Sequence, residues 1–344
     1  MKQPLSPQQS DAKETHTHTW RLIRAGLFSC LLLALSVVAL LQRQQIADQL
    51  AVWQFQPSTQ LESVAKRAGL NETGVFYLHA SQAAIVDKEA FNQACGSLQS
   101  EQTVVIGCYT SPERRIYVYN VTDEQLDGVI ETTTAHEMLH AAFDRLGERD
   151  RQTVTRLLEA EEEKITDSRL LQLIESYKKT EPNEVINELH SIIGTEVATI
   201  SPELESYYAR YFSDRVGVVS LKEKYESVFT DLADKQESLV RELEASAGSI
   251  NTRQAAYTAA LQQLNADIEQ FNKWAKANTA SYEEFTSRRE QLEQRISALE
   301  QERVSLNTTI STYNKKKVEL DALNVRAADL NQSINSKLAP TPSL

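Results

Sequence analysis

The sequence predicts an α+β protein: a small antiparallel sheet with helices, then a long α-helical coiled-coil hairpin, all preceded by an N-terminal transmembrane helix. Three observations predict it. Ala25 to Leu41 is an uncharged run of 17 residues. Beyond about Val219, apolar residues recur three and four apart to near the C-terminus almost without Gly or Pro, which is coiled-coil periodicity. In between, short β-branched and aromatic runs alternate with amphipathic stretches. Only 10 Gly and 8 Pro in 344 residues leave too few turn residues for a β-sandwich or barrel.

The charge of −12 is unevenly placed. Residues 1–41 carry 4 Lys/Arg and 2 Asp/Glu, residues 42–220 carry 16 and 28, and residues 221–344 carry 16 and 18. An acidic middle repels phosphate backbones, so no nucleic-acid partner is expected.

Taken in order, residues 1–21 read as a cytoplasmic tail and 22–42 as the membrane anchor. Leu22 and Ile23 lengthen the apolar run to about 20 residues with Arg24 snorkelling. The apolar core of a cleaved signal peptide is shorter, about 7–15 residues. Lys2, Lys13, Arg21 and Arg24 precede the run and only Arg43 closely follows, so the N-terminus is expected in the cytoplasm and the rest outside it. Cys30 is then a lipid-facing side chain. Cys95 and Cys108 bracket a short segment and are expected to pair in an oxidising compartment; two unrelated buried thiols are the alternative.

Residues 43–73 read as a helical or irregular stalk with apolar Leu50, Val52, Trp53, Phe55 and Leu61, closed by Gly69. Residues 74–218 form the globular domain. Val75 to Leu78, Thr103 to Ile106 and Arg115 to Tyr119 read as strands, the last two a hairpin about Ser111-Pro112-Glu113. Helices follow over about Asp123 to Leu146 and Arg151 to Tyr177, and a third opens near Pro182 and ends near Gly194. Residues 219–337 form two arms of an antiparallel coiled coil with a turn near 272–282, and 338–344 are a tail. A single rod forming a dimer is the competing arrangement, and either one offers a surface for a protein partner.

Within the first of these helices stands His136-Glu137-Met138-Leu139-His140. Two histidines four apart share a helical face and can reach one Zn²⁺, with the glutamate beside a water bound there. Zn²⁺ lowers that water's pKa towards about 7, and Glu137 can take its proton and pass it to a leaving amine. Val129, Ile130, Met138, Leu139 and Phe143 supply apolar surface for burying the same helix.

These residues resemble the zincins, the HExxH zinc metallopeptidases, over roughly residues 75 to 200. The resemblance implies that an edge strand ahead of the helix binds substrate in extended form, a role for Ile116 to Asn120. Phe143 and Leu146 stand where the metzincin pattern has Gly and a third His, so the resemblance is to the gluzincin branch. Its third ligand is a Glu on a later helix. Asn187-Glu188 matches that branch best and Asn183-Glu184 is a second such pair. Glu184 and Glu196 are thus alternative ligands, and Glu184 could instead orient a histidine. His190 is a candidate catalytic hydrogen-bond donor, a structural polar residue or itself a ligand. Asp144 is a candidate partner of His140. Tyr207, Tyr208 and Tyr211 are candidates for an oxyanion donor or for core packing. The expectation is a membrane-anchored, zinc-dependent peptidase acting on a peptide or protein substrate. Its catalytic residues are Glu137 and His190, and its metal ligands His136, His140 and Glu188. The alternative is an anchored scaffold with a structural or vestigial zinc site.

Overall fold

A computed structural model of the chain describes residues 12–96, 106–277 and 281–337. It is mostly helical, with one small sheet and a long C-terminal helical stretch. By packing, the chain divides into two units.

The first unit begins with α1 (Ala12–Leu41) and α2 (Arg43–Gln54). The side chains of Leu27, Leu33 and Leu40 are each more than 60% exposed, at 67%, 66% and 70%. Among the described residues no single helix is long and apolar enough to cross a membrane; Gly26–Leu40 and Arg43–Gln54 pass that test only together, bent by 71°.

α3 (Thr59–Arg67) and α4 (Glu72–Ala80) follow. The expected strand at Val75 to Leu78 is therefore helix. Asn71 accepts hydrogen bonds from the backbone N–H groups of Thr73 and Gly74, and this N-cap with Glu72 in the first turn outweighs the β propensity of a short run. Residues expected in a stalk belong to the core: Leu61, Ala65 and Ala68 are buried beside Leu78, Met138 and Leu139.

The sheet comprises β1 (Ala84–Val86), β2 (Gly107–Thr110) and β3 (Arg115–Tyr119), in the order β1-β3-β2. β1 pairs parallel with β3, and β2 pairs antiparallel with it, Cys108 opposite Tyr117. The hairpin is thus present with its first strand later than expected; Thr103 to Val105 lie outside the described residues. α5 (Lys88–Cys95) precedes β2, and a disulfide joins Cys95 to Cys108 beside buried Phe91.

The helices α6 (Val129–Asp144), α7 (Glu148–Glu162), α8 (Ser168–Thr180), α9 (Val185–Glu196) and α10 (Pro202–Tyr208) complete the unit with the first turns of α11 (Arg215–Lys276). The helix expected over Arg151 to Tyr177 is two helices, because Asp167 caps a fresh start by accepting from the N–H groups of Arg169 and Leu170. α9 starts at Val185, later than Pro182. It packs along α6 at Gly194, where an added Cβ would stand 2.4 Å from Leu139 Cδ1, so only glycine permits that approach.

The second unit holds residues 121–127, the remainder of α11 and α12 (Tyr282–Ile334). α11 and α12 run antiparallel. Gln236 bonds Asn324, Arg253 pairs with Glu302 at 2.8 Å and Asp267 with Arg295 at 2.6 Å, so partners rise in number on one helix as they fall on the other. Leu232, Leu239, Leu264, Leu306 and Leu330 are buried, and Phe271 meets Phe285 near the end of the pair. Residues 278–280, within the expected turn, lie outside the described residues.

Candidate metal centre

α6 carries His136 and His140 one turn apart, which sets both imidazoles on one face with ring centroids 4.8 Å apart. α9 brings Glu188 across from them. Its Oε2 lies 3.8 Å from His136 Nε2 and its Oε1 3.6 Å from His140 Nε2. One ligand atom from each of the three lies within 4.8 Å of the others, a group that could hold a metal ion. Two features fit a cation there. Glu188 Oε2 is buried without a hydrogen-bond partner, which is costly for a carboxylate oxygen that meets no charge. The carboxylate-to-imidazole distances are too long for hydrogen bonds, yet near the roughly 3.3 Å that separates ligands of a tetrahedral ion with bonds of about 2.0–2.1 Å.

Neighbouring side chains orient these three. His140 Nδ1 lies 3.0 Å from Asn187 Oδ1, and Asn187 Nδ2 donates to Glu184 Oε2 at 3.1 Å. That donation fixes the amide, so Nδ1–H of His140 donates to Asn187 and Nε2 is the ring nitrogen that faces Glu188. Burial alone would raise the Glu188 carboxyl. His140, His136 and the Tyr177 hydroxyl outweigh it and hold the carboxyl below its ordinary value. Tyr177, from α8, is itself raised, first by burial and then by the Glu188 charge.

Glu137 is 6% exposed and sits where β2 passes α6. Burial pushes its carboxyl up to about 7, with Glu188 adding to the rise, while His140 and the backbone N–H of Tyr109 oppose it. Gly107 makes this approach possible. A Cβ there would lie 2.6 Å from Glu137 Oε1 and 2.5 Å from Thr133 Cγ2. Gly107, Tyr109, His136, Glu137, His140, Tyr177 and Glu188 line one open cleft, together with Asp144, Arg151, Glu181 and Glu184.

The structure places the sequence candidates differently from one another. His136, Glu137, His140 and Glu188 are together. Glu184 reaches the cluster only through Asn187, holding an orienting position and not a ligand position. Glu196 is not brought to it: its carboxylate pairs with Arg169 at 2.8 Å and Lys222 at 3.0 Å. His190 is fully buried on another face of α9, its Nε2 2.8 Å from the Tyr207 hydroxyl and its ring among Phe143, Tyr208 and Tyr211. Burial keeps that imidazole neutral, with its pKa lowered to about 3. His190 and the three tyrosines are absent from the cleft lining and form a packed cluster, with Tyr208 donating to the His190 carbonyl at 2.7 Å. Asp144 does not touch His140; it accepts from the Tyr109 hydroxyl at 2.9 Å and pairs with Arg114 at 2.8 Å. Nor can Ile116 to Asn120 add a strand, because β3 is central and β2 is the edge beside the cleft.

Gly107, Tyr109 and Tyr177 escaped the sequence reading. No local spacing ties them to the HExxH helix, and the strand expected there ended at Ile106, one residue before Gly107. No known family, curated protein or solved structure matches this chain.

Proposed function

We propose that the chain is a membrane-anchored zinc peptidase resembling the gluzincins, with His136, His140 and Glu188 as metal ligands and Glu137 as general base. The observation that carries the reading is the Glu188 carboxylate, buried with an unpartnered oxygen and facing two imidazole Nε2 atoms beside a buried glutamate in a cleft. Two imidazoles and one carboxylate are the donor set that suits Zn²⁺ with a coordination position left open. When bound, Zn²⁺ supplies Lewis-acid activation of water and of a peptide carbonyl. Glu137 takes the proton of the attacking water at a carboxylate oxygen and delivers it to the leaving amine. The Tyr109 N–H and the glycine surface at residue 107 keep that carboxylate in place. Asn187 and Glu184 hold His140 in the tautomer that presents Nε2. The membrane part rests on α1, whose apolar side chains from Leu27 to Leu40 are exposed around the helix and want a lipid environment. The disulfide favours a location outside the cytoplasm for the domain that follows.

Zinc content and peptide hydrolysis of wild type, Glu137→Gln and His140→Ala test this. Glu137→Gln should keep zinc and lose hydrolysis by roughly 10²–10⁴-fold, and His140→Ala should lose both. Hydrolysis that survives Glu137→Gln overturns the mechanism. A scaffold reading, favoured by the 62-residue and 53-residue helices α11 and α12, predicts bound zinc without turnover.

A further inference from the structure

α2 has two faces of different character. One is turned into the first unit. Asp48 is buried there and accepts both Nε and Nη2 of Arg145, at 3.1 and 2.9 Å, with Gln44 bonding the same carboxylate at 3.0 Å. Val52 on α2 and Phe55 just after it are half-buried on that side. The opposite face presents Ile46, Leu50 and Trp53 at positions i, i+4 and i+7, exposed by 45%, 48% and 78%. Water is a poor solvent for an aligned isoleucine, leucine and tryptophan, and a helix already fixed by a buried ion pair has no other reason to display them.

The neighbouring helix indicates the solvent that suits this face. α2 begins two residues after α1 ends, and its axis turns 71° from that of Gly26–Leu40. If α1 stands along the bilayer normal, α2 lies within about 20° of the membrane plane. Trp53 and Trp20 then bracket the apolar run, one at each end, with the Arg24 guanidinium over the Trp20 ring at 5.4 Å. Tryptophan concentrates at that depth because its indole has an apolar body and one N–H for the headgroup region.

We propose that α2 is an interfacial helix that lies in the outer headgroup layer of the bilayer crossed by α1, with Ile46, Leu50 and Trp53 facing the acyl chains. The Asp48–Arg145 pair then ties this surface helix to the C-terminal end of α6, the helix bearing His136 and His140. The peptidase domain is thereby held at a fixed attitude to the lipid, and is not free on a tether. This rests on the anchor reading above.

The test uses the full chain reconstituted in dioleoylphosphatidylcholine vesicles, with lipids brominated either near the head or near the end of the acyl chain. In a Trp20→Phe/Trp274→Phe variant, Trp53 is the sole tryptophan. Its fluorescence should fall about two-fold with the head-brominated lipid and much less with the end-brominated one. A second variant, with Trp53→Phe and Leu33→Trp added, reports the anchor and should show the reverse order. Quenching of Leu33→Trp but not of Trp53 overturns the interfacial helix and leaves the anchor standing. Quenching of Trp53 but not of Leu33→Trp keeps the lipid-facing surface and removes the span. Quenching of neither overturns both.

Discussion

Gly107 has no side chain because Glu137 occupies the place one would take. A methyl there meets Glu137 Oε1 at 2.6 Å and Cγ at 2.8 Å, and the carboxylate must swing away from the Tyr109 N–H. Gly107→Ala should therefore keep its zinc, since no ligand is touched, and lose kcat/KM by about 100-fold, the usual result of a displacement near 1 Å. Metal analysis beside peptide kinetics checks this, and loss of zinc would show that the ligand set had been disturbed instead. Asn187→Ala should act the other way. It releases His140 Nδ1 and should weaken zinc binding by roughly 10–100-fold, read by competition with a chelating dye. At this scale His136, Glu137 and His140 were legible because one helical turn joins them. Glu188 was legible only through a resemblance that left Glu184 and Glu196 open. Nothing in sequence separates three acids on one helix until their partners are known: Asn187 for Glu184, Lys222 for Glu196, and for Glu188 two imidazoles.

Elements were legible where a long period carried them and not where a cap decided. α11 and α12 follow from apolar spacing, whereas Val75 to Leu78 has the residues of a strand and becomes helix because Asn71 satisfies two N–H groups ahead of it. The place of β3 in the middle of the sheet was also out of reach, because β1 joins it through a parallel crossover that no turn signal announces. The edge strand β2 is left to line the cleft, pinned at Cys108 by the disulfide to α5 and at Tyr109 by Asp144. With the cysteines 13 positions apart, loop closure implies about 3 kcal/mol of stabilisation. A Cys95→Ser/Cys108→Ser variant should unfold at correspondingly lower denaturant concentration. On the proposed mechanism it should also lose more hydrolysis than zinc, because β2 lies against Glu137. Equal stability with and without the bridge would show that β2 is held by its other contacts alone.

Across the whole molecule, the charge of −12 sits in residues 42–220, and folding arranges part of it into buried pairs. Glu196 and Lys222 are one such pair, with side chains 12% and 5% exposed. Burial alone would raise the Glu196 carboxyl. Lys222 first, and Arg169 with it, outweigh burial and hold it below its ordinary value. A carboxyl depressed in the folded state contributes stability that is present above its unfolded pKa, about 4.3, and is lost as pH falls through the folded value. Glu196→Gln removes that contribution and takes the Glu196 carboxylate away from the buried Lys222 ammonium, which is destabilising. The variant should therefore be much less stable than wild type at pH 7. The gap should narrow as pH falls below about 4, where wild-type Glu196 also becomes neutral. Urea unfolding of both proteins across that range gives the answer. A gap that stays constant with pH would mean that packing at Glu196, and not its charge, stabilises the junction between α9 and the first turns of α11.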